Sequence, residues 1–380
     1  MFHTGYFING IYDNLCVCTR SLVKNEVCHE TIINVLFVGI LTVLFLTGCS
    51  SRTEPSMDVN RLDTKLSLEQ NLDTFPQYAD EENLLLSLEK SIKVNVGPGS
   101  ETKGFFKYNL KNDTLEQVVP MDLNAQTHSA VPFGNAILYV DYVMKNGPLE
   151  WTVVHFENGT KQNLRSGICS YYEDLPKLSI LEGSPVLLWK DSKKSEFGLE
   201  IFDGEKLSEI ELPKGQNLVS TDSACNTKEI CFLTENDAGD ARFLIVGKNG
   251  EIESVTLDGK ITSFGLTKDA LVCGLGDYEQ TGKFSLMVYN FRSKKKKNTA
   301  VNKPLYRMTD SKTDVTLCVD STFQLLKIDS INGDVHAVQI SSEYSRKPVV
   351  LRTVCEEGCI AAFIKDEQDT QYEYYRLSWN

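Results

Sequence analysis

The side chains able to act as nucleophiles, bases or metal ligands are few, and their spacing excludes most chemistry. Of the 11 cysteines, Cys49 stands apart. It ends the stretch Leu46-Thr47-Gly48-Cys49, one aliphatic and two small residues before the cysteine. Downstream lie Cys169, Cys225, Cys231, Cys273, Cys318, Cys355 and Cys359, an odd number that cannot all pair within the chain. Cys225 with Cys231, and Cys355 with Cys359, are close enough in sequence to bridge across tight hairpins in an oxidising compartment. The alternative is that Cys231, Cys273 and Cys318 are small buried apolar residues on equivalent strands. No Cys-x-x-Cys pair occurs and only His128, His155 and His336 follow Cys49, so no metal site is expected.

Catalytic motifs are equally scarce. No Gly-x-Ser-x-Gly elbow is present. Gly97-Pro98-Gly99-Ser100-Glu101-Thr102-Lys103-Gly104 fails the phosphate-loop order and reads as a hairpin loop between two strands, while Gly274-Leu275-Gly276 lacks a third glycine. His155 lies in an alternating apolar strand and His336 follows an Asn-Gly turn, so both read as packing or surface residues. His128, beside Thr127 and Ser129 where a strand should begin, is the histidine best placed for function. The acidic pairs Glu173-Asp174 and Asp366-Glu367 fall in predicted loops. Asp329, Asn332 and Asp334 gather at one turn but fall short of a calcium loop. Lys294-Lys295-Lys296-Lys297 stands where a tight turn is due and reads as a solvated loop tip. No catalytic residue and no cofactor are assigned.

The elements around Cys49 set its meaning. The run from Ile32 to Leu46 holds 15 uncharged residues, the size of a signal h-region and short of the roughly 20 that a spanning helix needs. From Ser50 the chain turns polar at once. Residues 22–50 resemble a bacterial lipoprotein signal, with Leu46, Thr47 and Gly48 as the lipobox and Cys49 as the lipidated residue. The resemblance implies a signal peptide over 1–48, a diacylglyceryl thioether on Cys49, and a tether over 49–61. It also implies a lipid-anchored, extracytoplasmic protein at the cell membrane or outer membrane. Two or more chains, at about 0.8 kcal/mol per buried methylene, anchor stably. Some 30 residues precede the h-region, with Arg20 and Lys24 against Asp13, Glu26 and Glu30. A lipoprotein n-region is short and basic, so the translation start is expected near Leu22 or Val23; an uncleaved signal anchor is the alternative.

The first 48 residues hold 2 of the 39 basic and 3 of the 52 acidic residues, which leaves the remainder at −12. Such a surface repels polyanions, so no nucleic-acid partner is expected. A 41% apolar composition excludes disorder as the dominant state.

A repeat organises everything after the tether. Asn112-Asp113, Asn158-Gly159, Asp203-Gly204, Asn249-Gly250 and Asn332-Gly333 each follow an apolar run, at steps of 46, 45, 46 and 83 residues. The missing member is Phe284–Phe291, whose turn is Arg292-Ser293 and the lysines. Short apolar runs near Ile92, Ile137, Val186, Ile230, Leu271, Val315 and Ile360 keep the same beat. Asx-Gly turns between alternating runs mark hairpins, so one unit reads as four antiparallel strands. The fourth unit shows them at Leu218–Thr221, Ile230–Thr234, Arg242–Val246 and Glu251–Leu257.

Such units in series predict an all-β fold, a β-propeller of about seven four-stranded blades over 62–380, with six or eight as alternatives. The last unit has three strands (Val349–Val354, Ile360–Ile364 and Tyr372–Trp379), so an N-terminal strand must close the ring. Leu62–Glu69 alternates with period two and fits that place. Glu81–Lys90 admits a turn of helix or a buried strand. The segment Leu326–Val335 carries the pattern best and resembles the TolB-like and quinoprotein-like propellers of bacterial envelope lipoproteins. The tryptophan that follows the turn in quinoprotein repeats is absent, so no quinone cofactor is implied.

A ring of loops with no catalytic signature suits a binding module, and a membrane-anchored propeller taking a protein or glycan partner is expected. Tyr171-Tyr172 and Tyr374-Tyr375 are candidates for a binding face. The alternative is a polysaccharide-active hydrolase or lyase with loop carboxylates at the channel mouth.

Overall fold

The computed structural model describes residues 57–61, 72–94, 97–120, 122–144, 147–276, 282–338, 348–355, 358–366 and 369–379. The signal segment and Cys49 lie outside these, and no helix among the described residues is long and apolar enough to cross a membrane.

The described strands form seven four-stranded antiparallel sheets, each running from an inner first strand to an outer fourth. A single strand, β1 (Met57–Arg61), precedes the series. Blade 1 is β2 (Leu72–Ala79), β3 (Asn83–Val94), β4 (Gly97–Asn109) and β5 (Thr114–Val119). Blade 2 is β6 (Thr127–Phe133), β7 (Ala136–Met144), β8 (Leu149–Glu157) and β9 (Thr160–Cys169). Blade 3 is β10 (Lys177–Leu181), β11 (Ser184–Asp191), β12 (Glu196–Phe202) and β13 (Leu207–Ile210). Blade 4 is β14 (Gln216–Cys225), β15 (Glu229–Asn236), β16 (Ala241–Gly247) and β17 (Ile252–Thr256). Blade 5 is β18 (Ile261–Leu266), β19 (Ala270–Gly276), β20 (Phe284–Asn290) and β21 (Lys295–Val301). Blade 6 is β22 (Leu305–Tyr306), β23 (Val315–Asp320), β24 (Leu325–Asp329) and β25 (Asp334–Ala337). Blade 7 is β26 (Pro348–Cys355), β27 (Gly358–Asp366) and β28 (Asp369–Trp379), with β1 as its outer strand.

The closing strand therefore comes from residues 57–61, paired from Met57 opposite Trp379 to Arg61 opposite Tyr375, and not from Leu62–Glu69. Part of the expected tether is thus sheet; Leu62–Glu69 lies outside the described residues. Backbone pairing at an edge needs little from side chains, which is why the longer apolar alternation was the wrong guide.

Every Asx turn found in the sequence joins the third strand of a blade to its fourth. Asp113, Asn158, Gly159, Gly204, Gly250 and Gly333 have positive φ there. In blade 5 the same geometry is built differently. The Asn290 side-chain oxygen accepts the N–H groups of Arg292 and Ser293 at 3.1 and 2.8 Å, and Lys294 takes the left-handed conformation. The lysine block is accordingly not a loop tip, since Lys295–Lys297 begin β21. Lys296 reaches back to blade 4, 3.9 Å from Asp258, and Lys297 reaches forward to the Asn332 carbonyl of blade 6. These lysines hold neighbouring blades together.

Period-two strands bury both faces, and the apolar clusters fall between blades. In β7, Ile137 and Tyr139 pack towards blade 1 while Leu138 and Val140 pack towards blade 3. A cluster of Leu84, Leu86, Leu88 and Phe106 with Ile360, Ala362 and Tyr374 joins blade 1 to blade 7 and completes the circle. Burying one such leucine contributes about 2 kcal/mol over leaving it exposed. The segment Glu81–Lys90 is strand from Asn83 onward, and the Gly97–Gly104 stretch is the first part of β4 rather than a loop.

Hydroxyl groups stitch the inner strands. Ser129 Oγ accepts the Leu178 N–H at 3.1 Å, Ser263 Oγ accepts the Met308 N–H at 2.7 Å, and Thr262 donates to the Leu305 carbonyl at 2.7 Å.

Candidate functional site

Antiparallel order fixes which loops share a face. The starts of the first strands, and the turns between second and third strands, form an upper face; the other turns form the lower. At the lower end of the channel, Asp310 of blade 6 accepts the Cys225 N–H of blade 4 at 2.8 Å and the Leu266 N–H of blade 5 at 3.0 Å. One carboxylate thus laces three inner strands together across that end.

The upper end gathers a different set. Glu89, late in β3, is 7% exposed and accepts a hydrogen bond from Ser87 Oγ at 2.8 Å. The register sets Asp73 opposite Glu89. His128, the second residue of β6, meets the Tyr172 ring edge to face at 4.9 Å, and Tyr142 meets Tyr172 likewise at 5.7 Å. Tyr172 opens a one-turn 3-10 segment, Tyr172–Asp174, that leads into β10. From blade 7, Tyr372 packs on Phe75 of β2 at 5.5 Å.

The electrostatics follow from burial. Burial, then the charge of Lys177, pushes the His128 imidazole down to about 4, and its Nδ1 is buried without a hydrogen-bond partner in the structure. His128 is therefore neutral at physiological pH. The Tyr142, Tyr172 and Tyr372 hydroxyls are all pushed up, burial first, with the Glu89 charge among the further causes.

Beside this cluster large apolar side chains are exposed. Tyr171 is 68% exposed, Met144 52%, Val143 49% and Tyr172 43%. Val143 and Met144 end β7, and Tyr171 and Tyr172 lie in the next connection on the same face.

The lower face carries an open groove of about 780 Å³ between blades 4 and 5. Two of its charge pairs close within the protein, Arg292 with Asp269 at 2.7 Å and Lys294 with Glu253 at 2.5 Å, while one oxygen of Glu229 is buried there without a hydrogen-bond partner.

The residues singled out in the sequence separate as follows. Tyr171 and Tyr172 are at the mouth, whereas Tyr374 and Tyr375 are buried in the cores flanking blade 7. His128 is at the mouth; His155 is buried against Phe202 at 5.1 Å, and His336 is exposed on β25. Asp174 pairs with Lys190 at 2.9 Å, and Asp329 Oδ1 accepts the Ile331 and Asn332 N–H groups of its own turn. Glu367 lies outside the described residues.

Cys231, Cys273 and Cys318 are buried on the second strands of blades 4, 5 and 6, with burial pushing each thiol up. Cys225 and Cys231 do not bridge. The register pairs Cys225 with Ile230 and Ala224 with Cys231, and the two sulfurs enter cores on opposite sides of the blade. For the second pair, Cys359 is buried opposite Thr353, and the Cys355 side chain lies outside the described residues. Cys49, Leu46, Thr47 and Gly48 lie outside them as well.

Sequence reasoning missed Glu89, Tyr142 and Tyr372, which carry no local motif and meet only in the ring.

No family model and no curated protein matches the sequence. Solved structures do match in shape. The β-propeller domain of the Trilobed protease from Pyrococcus furiosus is 11% identical with a TM-score of 0.50, covering 82% of this chain and 96% of that one. TolB from Acinetobacter baumannii is 12% identical with a TM-score of 0.38, covering 76% and 79%. A puromycin-hydrolysing peptidase of Mycobacterium tuberculosis is 8% identical with a TM-score of 0.45, covering 77% of this chain. The chain spans 58% of that peptidase's length.

The chain is a β-propeller. At these identities the likeness shows the fold and nothing further.

Proposed function

We propose that the protein is a lipid-anchored, extracytoplasmic binding module whose propeller holds a protein or glycan partner at its upper mouth. The observation that carries this reading is the juxtaposition there of Glu89, His128, Tyr142, Tyr172 and Tyr372, drawn from blades 1, 2 and 7 and one inter-blade turn, beside exposed Val143, Met144 and Tyr171. Exposed apolar side chains around a polar centre mark interaction surfaces. Side chains held by a stitched ring are preorganised, so binding costs little ordering entropy. The anchor is Cys49, supported by the lipobox Leu46-Thr47-Gly48 and the h-region before it; the closing strand begins eight residues later. Palmitate labelling tests the anchor: it should vanish in Cys49→Ala, and persistent labelling would remove Cys49 from the account. The partner is tested by affinity recovery from cells after crosslinking, comparing the native protein with Tyr172→Ala.

One observation favours an enzymatic reading. Asp73 and Glu89 stand opposite each other at the mouth, and paired carboxylates beside aromatic rings are what a polysaccharide hydrolase or lyase requires. Release of reducing or unsaturated sugar ends that disappears in Glu89→Gln would favour it.

A further inference from the structure

Among the described residues five carboxylates are buried, and they differ in how their charge is met. Asp174 pairs with Lys190 at 2.9 Å, Asp320 with Lys303 at 2.9 Å, and Glu200 with Arg165. Asp191 has no cation but accepts two backbone N–H groups, of Lys193 and Lys194, at 3.0 and 3.2 Å. Glu89 has neither. Among the described residues its one hydrogen-bond donor is the Ser87 hydroxyl, and no Lys, Arg or His forms an ion pair with it. Neither Glu89 oxygen is among the fully buried atoms without a partner, so the second oxygen opens to the mouth and leaves acceptor capacity free for a bound cation.

The surroundings suit such a cation. The nearby tyrosine rings present electron-rich faces that attract an ammonium or guanidinium group. His128 is neutral, so it does not repel one. Two fixed cations stand near the site without an ion pair to Glu89: Lys177, whose charge acts on His128 and which sits 4.0 Å from Asp222, and Arg307, whose charge acts on Tyr372. The apolar rim of Val143, Met144, Tyr171 and Tyr172 would cover aliphatic or aromatic residues flanking the cation.

We infer that the upper mouth binds a polypeptide segment of the partner by taking one lysine or arginine side chain onto Glu89, with Tyr142 and Tyr172 beside it and flanking apolar residues on the exposed rim. The inference rests on the binding-module reading and narrows it to a basic-apolar peptide. A neutral glycan would offer Glu89 hydroxyl donors but no counter-charge, which is why a polypeptide is favoured.

The test uses the immobilised full-length protein and a phage-displayed random peptide library, followed by fluorescence polarisation with the enriched peptides. Enriched sequences should carry Lys or Arg next to an aliphatic or aromatic residue. Their Kd should rise about tenfold or more with Glu89→Gln and with Tyr172→Ala, and stay unchanged with Glu229→Gln on the lower face. Replacing the peptide's basic residue by norleucine, which keeps the stem and removes the charge, should abolish binding. Glu89→Gln retains an acceptor for Ser87, and a thermal unfolding curve matching the native one shows that the ring is intact. Should that variant unfold, Tyr172→Ala and the norleucine peptide carry the test. Peptides lacking a basic residue, or bound equally by Glu89→Gln, overturn the inference and leave the binding-module reading standing. Retention on a glycan array that depends on Tyr172, with no peptide enriched, does the same. Binding of neither class overturns both.

Discussion

Protonating His128 should cost the fold stability in a defined pH window. The imidazole is pushed from 6.5 down to about 4, first by burial and then by Lys177, so the native state excludes a proton that the unfolded chain accepts. The group's contribution is complete above the unfolded value of 6.5, shrinks as pH falls, and is gone by about 4. At about 1.4 kcal/mol per unit, the difference amounts to about 3 kcal/mol. Carboxylates titrate across the same range, so the informative quantity is a difference between two proteins. Urea unfolding of native protein and His128→Gln, measured from pH about 7 to about 4, isolates it. The native protein should lose about 3 kcal/mol more than the variant across that window, with the two curves parallel above 6.5. NMR of the imidazole ring proton gives an independent reading, and should show no titration until well below 6. Parallel curves throughout, or a ring proton titrating near 6.5, would refute the burial argument and the neutral histidine at the mouth.

Three further kinds of change probe the ring itself. A Cβ on Gly167 would lie 2.3 Å from the Trp151 ring and one on Gly198 2.7 Å from Trp189, so Gly167→Ala and Gly198→Ala should each cost about 1–3 kcal/mol by thermal unfolding. Gly247→Ala, whose nearest contact would be 3.8 Å, should be close to neutral. Asp310→Ala strands two backbone N–H groups at the lower end of the channel and should destabilise by roughly 2–4 kcal/mol; Asp310→Asn should recover part of that. Deleting Met57–Arg61 opens the edge of β28 and should lower stability by roughly 3–5 kcal/mol while promoting aggregation, and an unchanged melting curve would contradict closure by that strand.

The repeat was legible because its turns are chemically constrained. A left-handed residue between the third and fourth strands calls for Asn, Asp or Gly, so Asn158-Gly159 and its counterparts punctuate the sequence. Blade 5 escapes that signal because Asn290 caps the turn from one strand end and Lys294 bears the left-handed conformation. The closing strand escaped because edge pairing is a backbone property, and Met57–Arg61 is shorter than the alternating Leu62–Glu69. A signal for the inner strands was present and unused: Ser129, Ser179, Ser223 and Ser263 recur at steps of 50, 44 and 40. In the fold Ser129 and Ser263 bond the next blade's backbone, and Ser179 and Ser223 lie 3.4 Å apart. The mouth was legible only through Tyr171-Tyr172 and His128, because Glu89 and Tyr372 come together through ring closure. The Cys225–Cys231 pairing failed for a local reason, since a one-residue offset in register sends the two to opposite faces.

The most direct test of the upper mouth as the binding face is site-specific photocrosslinking in cells with the full chain. A photoreactive residue at position 171 should give one reproducible adduct that weakens in Glu89→Gln, while the same residue at position 248 on the lower face should give none. Equal adducts from both positions, or an adduct confined to position 248, would contradict the account.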